Sequence, residues 1–391
     1  MPPPPARSLI LLMAVATGLA VANIYYNQPI LGLIGAGFGD PARAGLIPTA
    51  TQVGYAAGIL LLVPLSDQVD RRRLITVQGL GLALALLAAA AAPTIAVLVA
   101  LSLFIGMCAS LAQQILPFAA ELAPPATRGR TVGTVMTGLL AGILLARTLS
   151  GFVGELAGWR AVFLGGAAVA AAMTVLLALR LPRSRPAPRQ LYGRLLVSLW
   201  HLVRREPELR RAALTQGLLF AAFSAFWTEL ALLLREPPFH LGSAAAGLFG
   251  VLAAGGLAVA PLAGRLADSR GPRPGVRLGV VAVVAAFGLM AARTDLATLA
   301  VGVVVMDAGV QMAMISNQAI IYGLAGEARG RVNTVYIATM FVLGAVGSAA
   351  ASLAWRTGGW PAVVVVALLL AASALVPQFA GRRVPATLPD R

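Results

Sequence analysis

Twelve stretches of the chain are apolar along nearly their whole length and contain few charged side chains. A helix needs roughly 20 apolar residues to cross the hydrocarbon core of a bilayer. Polar segments rich in Arg, Pro and Gly separate the stretches. The pattern therefore predicts an all-α membrane protein with twelve transmembrane helices, at residues 8–31, 44–65, 74–92, 95–120, 131–154, 161–179, 212–234, 244–263, 278–292, 296–322, 332–354 and 361–380.

The composition excludes the main alternative classes of protein. The 391 residues are 59% hydrophobic and only 11% charged, whereas soluble domains carry about 25% charged residues. A chain with so much apolar surface is neither a cytosolic enzyme nor disordered. One cysteine, Cys108, and two distant histidines, His201 and His240, supply neither an internal disulfide nor a cluster of metal ligands. The sequence predicts no metal site and no cofactor.

All 30 basic residues are Arg, and they produce the formal net charge of +16. If the N-terminus lies in the cytoplasm, 24 of the 30 Arg fall in cytoplasmic segments and 5 in outer loops. This asymmetry obeys the positive-inside rule. It predicts a multi-pass protein of a bacterial-type inner (plasma) membrane with both termini in the cytoplasm. The Arg residues then contact anionic membrane lipids, and no nucleic acid partner is needed to explain them.

The two halves of the chain repeat one another. The Asp that follows the second span, the Arg-Gly-Arg before the fifth and the Gly-Trp before the sixth all recur 201 positions later. The repeats predict two pseudo-symmetric six-helix bundles, at residues 1–180 and 212–391. Residues 181–211 form the cytoplasmic linker between them. Its Pro-rich start predicts an extended segment, and 191–203 predicts an amphipathic helix in the membrane interface.

The first and fourth spans of each half retain polar side chains within their apolar sequence. Spans six, nine and twelve retain almost none, so the four polar helices are expected to line a water-filled cavity between the bundles. On span ten, Asp307, Gln311 and Gln318 share one helix face. For any single amide the alternative is an interhelical hydrogen bond, worth about 0.6 kcal/mol. The candidate cavity residues are Asn23, Tyr26, Asn27, Gln28, Gln113, Gln114, Trp227, Gln311, Asn317 and Gln318.

Three ionisable residues lie inside predicted spans: Arg147, Glu229 and Asp307. Each costs about 2.5–3.5 kcal/mol at a helix centre on the insertion scale, so each is expected to serve a function. A carboxylate poised between desolvation and a nearby Arg can take up and release a proton as its surroundings change. These residues are therefore candidates for proton coupling. The alternative is a fixed structural ion pair that includes Arg147.

The sequence contains no catalytic set. It has no combination of nucleophile, His and acid, and no Gly-rich phosphate loop followed by Lys and Ser or Thr. The chain is therefore not predicted to be an enzyme. Any energy that the protein uses must then come from a gradient and not from nucleotide hydrolysis within this chain.

The loops after the second and eighth spans carry residues of the motif Gly-x-x-x-Asp-Arg-x-Gly-Arg-Arg. The matching residues are Asp67, Arg71 and Arg72 in the first copy and Gly264, Asp268, Gly271 and Arg273 in the second. On these residues the chain resembles the major facilitator superfamily over nearly its whole length. The resemblance implies the twelve-helix fold, alternating access of a midplane site for a small-molecule substrate, and a conformational latch at these two loops.

The fifth span is similar to the Gly-rich antiporter motif of proton-coupled drug exporters. Gly138, Gly142 and Gly151 match the motif, and Ala146-Arg147 stands where the motif has Gly-Pro. The similarity implies a proton-coupled exporter of drugs or metabolites. Our hypothesis for such an exporter is that Arg147 holds one carboxylate ionised until substrate or rocking of the bundles displaces it. A pair of bundles can form a complete pathway, so a monomer is expected.

Two other functions remain open at this point. Uptake or facilitated diffusion of a sugar, amino acid or organic anion would use the same architecture, and Arg147 suits an anionic substrate. A non-transporting membrane scaffold or receptor is the alternative from a different class. Such a protein has no need of polar side chains at the membrane midplane, which four spans of this chain retain.

Overall fold

The computed structural model describes residues 7–184, 192–324 and 329–379, which form helices joined by short turns, with no β-strand among them. Eleven helices in these ranges are long and apolar enough to cross a membrane. The last one holds two spans, because Gly359 has φ 61° and interrupts it. The helices are α1 Arg7–Phe38, α2 Leu46–Leu65, α3 Arg71–Ala90, α4 Ile95–Leu122, α5 Arg128–Ala157, α6 Trp159–Arg180, α7 Pro207–Arg235, α8 Ser243–Arg270, α9 Pro272–Ala292 and α10 Leu296–Leu324, with α11 and α12 as the parts of Arg329–Ser373 before and after Gly359.

The observed helices correspond one to one with the twelve predicted spans. Two helices extend furthest beyond their predicted ends, each by seven residues: α8 continues to Arg270 although the sequence predicts an end at residue 263, and α1 continues to Phe38 although the sequence predicts an end at residue 31. Residues 32–38 remain apolar, and the helix ends where Gly39 takes the left-handed conformation with φ 67°. An amphipathic helix at Tyr192–Arg205, here named the linker helix, matches the predicted one. Residues 185–191 of the predicted linker lie outside the described residues.

Three of the membrane helices are interrupted near their middle. A turn at residues 23–26 breaks α1, a turn at residues 110–111 breaks α4, and a 3-10 segment at Ala254–Val259 breaks α8. Such breaks free backbone polar groups, which membrane proteins tolerate where the helix faces protein or a cavity. The breaks in α1 and α8 both lie beside the charged residues described below.

Side-chain caps fix the start of several helices. Asp70 accepts a hydrogen bond from the backbone of Arg72 at the start of α3, and Thr94 caps α4. Before α10, the Asp295 carboxylate accepts a hydrogen bond from the Thr298 N–H at 2.8 Å. This bond holds the pKa of Asp295 below its ordinary value, because it favours the charged form.

The two halves use the same helix pairings. In the first half α1 packs on α5 and α2 on α4; in the second, α7 packs on α11 and α8 on α10. Across the middle of the molecule, α2 packs on α11 and α5 on α8. Small residues permit the closest approaches, since a Cβ on Gly142 would collide with the backbone of Gly18.

Candidate functional site

A large cavity, here named the central cavity, lies between the two halves. Its volume is about 1080 Å³. It reaches the side of the molecule where α2 and α4 end, named here the Arg-rich side because Arg71 and Arg331 lie there. The opposite surface is named the Arg-poor side. The lining comes from α2, α4, α5, the linker helix, α10 and α11, and includes Ile59, Gln113, Leu199, Tyr322, Thr334 and Ile337.

On the Arg-poor side the halves are in direct contact, along what is named here the closed seam. Thr49 of α2 donates a hydrogen bond to Ser348 of α11 at 2.9 Å, and Ser348 also contacts Thr228 of α7 at 2.9 Å. One turn deeper, Ser224 of α7 donates to the Gln52 side chain of α2 at 3.1 Å. The seam therefore separates the central cavity from the Arg-poor surface.

Helices α5 and α8 extend the closed seam. The Ser243 hydroxyl of α8 donates to the carbonyl of Gly151 at 2.9 Å. The carboxylate of Glu155 accepts a hydrogen bond from the N–H of Ala244 at 2.8 Å, and so caps the start of α8. These contacts join the end of α5 to the start of α8, and they must break if the two halves separate on this side.

Arg147 of α5 is the centre of the buried polar residues. Only 2% of it is exposed, and its Nε donates to the Gln28 side chain of α1 at 2.8 Å. Its guanidinium carbon lies 3.9 Å from the centroid of the Trp227 ring, 4.5 Å from that of Tyr25 and 5.4 Å from that of Phe223. Desolvated cation–π contacts contribute about 2 kcal/mol or more, so these rings help to hold the charge in an apolar environment.

Asp307 of α10 lies at the same depth as Arg147. Arg147 is ten residues from the end of α5 and Asp307 eleven from the start of α10, which places both about 15 Å below the Arg-poor ends of their helices. That is half the thickness of a hydrocarbon core of about 30 Å. The two charges interact electrostatically, but within the described ranges no ion pair of 4.0 Å or less joins them. Arg147, Asp307, Gln28, Tyr25 and Trp227 are named here the midplane cluster.

Glu229 of α7 is separate from the midplane cluster and belongs to the closed seam. It is 1% exposed, and its Oε1 accepts a hydrogen bond from Ser352 of α11 at 2.8 Å. Its Oε2 is buried and has no hydrogen-bond partner among the described residues. A Cβ on Gly45, from the other half, would lie 3.3 Å from Glu229 Oε1. The carboxyl group is therefore enclosed by both halves.

A chain of aromatic rings connects the central cavity to the midplane cluster. Gln113, which lines the cavity, donates to the hydroxyl of the fully buried Tyr55 at 3.0 Å. The Tyr55 ring lies 4.4 Å from that of Phe341, which in turn lies 5.0 Å from Phe220. Phe220 stacks on Phe223 at 5.2 Å. These rings lie in sequence between Gln113 at the cavity and Phe223 beside Arg147.

The structure places the other candidate cavity residues in several environments. Asn23 and Tyr26 line a small pocket against α3 and α6, within the first half. Asn27 donates to Thr51 at 3.1 Å, and Gln114 donates to Gln78 at 2.7 Å. Asn317 donates to Gln216 of α7 at 3.4 Å. Gln311 and Gln318 are half-buried. Of the predicted amides, only Gln113 is among the residues that line the central cavity.

The predicted latch residues form contacts within their own halves. Arg71 binds Glu121 of α4 at 2.6 Å and Asp67 at 3.1 Å. In the second half Arg273 contacts Glu208 at 3.4 Å. Among the described residues no ion pair joins the halves on the Arg-rich side. The remaining predicted latch positions are Arg72, whose N–H donates to Asp70, the half-buried Gly264, the exposed Asp268, and Gly271, where φ is 77°.

Two residues that cover the Arg147 guanidinium were not predicted as site residues from the sequence. Tyr25 and Phe223 cover the Arg147 guanidinium, but they are aromatic side chains in apolar helices and resemble core residues. The sequence offers one weak signal, because Tyr25 stands among four polar or aromatic neighbours at 23–28. Nothing in the sequence distinguishes Phe223.

Comparisons with known proteins agree with this architecture. The sequence profile of the Major Facilitator Superfamily matches residues 13–292. The putative uncharacterized transporter YgaY of Escherichia coli (strain K12) is 39% identical over 366 residues, which are 93% of each chain. The probable transporter SCO4007 of Streptomyces coelicolor is 38% identical over 376 residues, 93% of this chain and 85% of that one.

Solved structures show the same fold. The crystal structure of a D-xylose-proton symporter superposes with a TM-score of 0.74 and covers 97% of this chain and 98% of its own, at 16% sequence identity. At this identity the likeness concerns the fold alone. Together with the twelve helices it confirms the fold class predicted from the sequence.

Proposed function

The chain belongs to the major facilitator superfamily and is a multi-pass membrane transporter, and on that premise we propose that it exports a small organic molecule in exchange for protons. The relatives are named as transporters, which favours transport over a scaffold or receptor. The proposed carrier is a monomer in the inner membrane, with both termini and the Arg-rich side in the cytoplasm, where Arg contacts anionic lipid. The central cavity then opens inward and admits substrate from the cell.

The observation that carries the proton coupling is the position of Glu229 in the closed seam. A charged carboxylate loses its hydration when the seam closes around it, whereas a protonated one loses much less. Protonation of Glu229 and closure of the seam therefore favour each other. The hydrogen bond from Ser352 satisfies one oxygen, and the unpartnered Oε2 is a place for the proton.

This linkage supports an exchange cycle. When the seam is open, Glu229 faces the outside and takes up a proton, and the seam then closes. After the proton leaves, the charged carboxylate favours reopening, and substrate bound from the cytoplasm is carried outward on that step. Arg147 and Asp307 form the second charged site at the midplane, where the substrate is expected to bind.

The test measures seam opening as a function of pH with single cysteines in a Cys108→Ser background. Ser348→Cys reports on the closed seam and Thr334→Cys on the central cavity, and both lie on α11. An impermeant maleimide should label position 348 more as the pH rises and position 334 less. The opposite directions separate opening from the pH dependence of thiol chemistry. In Glu229→Gln the ratio of labelling at position 348 to labelling at position 334 should stay at its low-pH value.

Glu155→Gln is the matched control, because Glu155 also lies in the seam but its carboxylate caps α8. It should retain the pH response. If Glu229→Gln responds to pH as the wild type does, Glu229 is not the coupling site.

Everted membrane vesicles distinguish export from uptake. Ethidium, benzoate, D-xylose and phenylalanine are added to vesicles that hold an acidic lumen, and the luminal pH is followed by acridine fluorescence. An exchanger makes the lumen more alkaline when its substrate enters, whereas a symporter makes it more acidic. A uniporter leaves the luminal pH unchanged while the compound equilibrates across the membrane, which would exclude proton coupling.

A further inference from the structure

The midplane cluster contains three buried polar atoms that have no partner among the described residues. They are Nη2 of Arg147, Nε1 of Trp227 and Oδ2 of Asp307. Arg147 and Trp227 are each only 2% exposed. Buried polar groups nearly always have hydrogen-bond partners. Two donors and one acceptor left unpaired in one cluster therefore indicate a ligand that supplies the missing partners.

The surroundings of Arg147 determine which part of it can bind a ligand. The rings of Tyr25 and Trp227 lie against the guanidinium, at 4.5 Å and 3.9 Å. The Nε–H of Arg147 already donates a hydrogen bond to the Gln28 side chain at 2.8 Å. The end that carries the Nη nitrogens remains for a ligand. A guanidinium end of this kind matches a planar carboxylate, which accepts two parallel hydrogen bonds.

Asp307 supplies the opposite charge within the same cluster. It interacts electrostatically with Arg147, but the described structure contains no direct ion pair between them. Its Oδ2 is available to a donor. A cluster with one positive and one negative group, both incompletely paired, is neutral overall and suits a ligand that is itself neutral but dipolar.

We propose that the midplane cluster binds a zwitterion of the α-amino-acid class, with its carboxylate at Arg147 and Trp227 and its ammonium group at Asp307. A simple organic anion would leave Asp307 without a counter-ion and close to a second negative charge. A simple cation would face Arg147. A zwitterion offers a charged acceptor to the two donors and a charged donor to Asp307. This inference rests on the proposed transport function and specifies its substrate class.

Binding of a zwitterion also explains why substrate and proton would move in opposite directions. The ammonium group and a proton compete for the same carboxylate, so substrate and proton exclude each other at Asp307. The charged and titratable groups that act on Asp307 are Arg147 of α5 and, from α1, Tyr25. From α8, Gly256 lies against it. Mutual exclusion of the two ligands is the requirement for exchange and not for cotransport.

The test uses the purified full-length chain in detergent and three families of probes. Alanine, leucine and phenylalanine are the zwitterions; 3-phenylpropionate and phenethylamine are the analogues of phenylalanine that lack one charge. Binding is measured as ligand-induced thermal stabilisation and as quenching of tryptophan fluorescence. At least one zwitterion should bind ten or more times more tightly than either single-charge analogue. Its affinity should fall at low pH in the wild type and remain constant in Asp307→Asn.

Variants of the cluster provide the controls. Trp227→Phe retains an aromatic ring and removes one hydrogen-bond donor. It should therefore lower the affinity for the zwitterion several-fold and leave the affinity for phenethylamine unchanged. Arg147→Met should abolish the tighter binding of the zwitterion relative to its analogues. Arg43 is an exposed Arg near the Arg-poor surface, and Arg43→Gln should leave this difference in affinity unchanged. If no zwitterion binds more tightly than its analogues, the proposal is wrong. A pH-dependent response at Ser348→Cys in that case would show that proton coupling stands and only the substrate class fails.

Discussion

Replacing Gly151 with Ala should open the closed seam. A Cβ at this position would lie 2.5 Å from the Ser243 carbonyl oxygen and 3.0 Å from the Gly247 Cα. Both are backbone atoms, so no side-chain rotation relieves the overlap. Ordinary contact begins near 3.4 Å, and α5 and α8 must therefore separate by about 0.9 Å. Overpacking of this kind costs about 1–3 kcal/mol.

The cost falls on one conformation, because α5 and α8 separate on the Arg-poor side when the seam opens. A difference of about 1–3 kcal/mol changes the ratio of open to closed molecules by roughly 5- to 150-fold. Maleimide labelling at Ser348→Cys should rise accordingly, and labelling at Thr334→Cys should fall.

The matched control for this substitution is Gly165→Ala in α6, where an added Cβ meets no atom within 4 Å. Labelling and melting temperature should be unchanged in that variant. The reasoning is refuted if Gly151→Ala folds normally and labels at both reporters like the wild type, because the seam would then tolerate the extra methyl group without opening.

Two further substitutions test the packing of the first half. Gly142→Val places side-chain atoms against the backbone of Gly18, so folded protein should be lost in size-exclusion chromatography, whereas Gly133→Val, which faces open space on the same helix, should elute normally. Arg71→Gln removes the contacts with Glu121 at 2.6 Å and with Asp67 at 3.1 Å. Because both carboxylates are mostly exposed, each pair contributes about 1 kcal/mol or less, so thermal melting should show a loss of stability of about 2 kcal/mol or less. A much larger loss would mean that the loop is a structural anchor.

The fifth span resembles the Gly-rich motif of proton-coupled drug exporters and departs from it at Ala146-Arg147. The motif has Gly-Pro where this chain has Ala146-Arg147, and Arg147 is the residue about which the midplane cluster is arranged. The neighbouring glycines still pack: Gly138 and Gly142 lie against α1, and Gly151 lies against α8. Helix α5 therefore joins α1 and α8 by close packing and places a charge at the midplane between them.

Most of the fold could be predicted from the sequence, because the forces that set it act along the chain. Each span is apolar by itself, so hydrocarbon thickness alone determines that a helix crosses there. The asymmetry of Arg predicts an orientation without any knowledge of packing. Arg147, Glu229 and Asp307 are costly to place in lipid, and this cost identified them as candidate functional residues.

Only the tertiary structure decided which of these residues meet. The sequence allowed Arg147 to pair with either carboxylate, and the fold places it near Asp307 while Glu229 bonds to Ser352. Likewise, the polar faces of α1 and α10 do not all point into the cavity. A helix face can turn toward a neighbour or toward water at nearly equal local cost, so its direction depends on how distant helices pack against it and on which side of the carrier is closed.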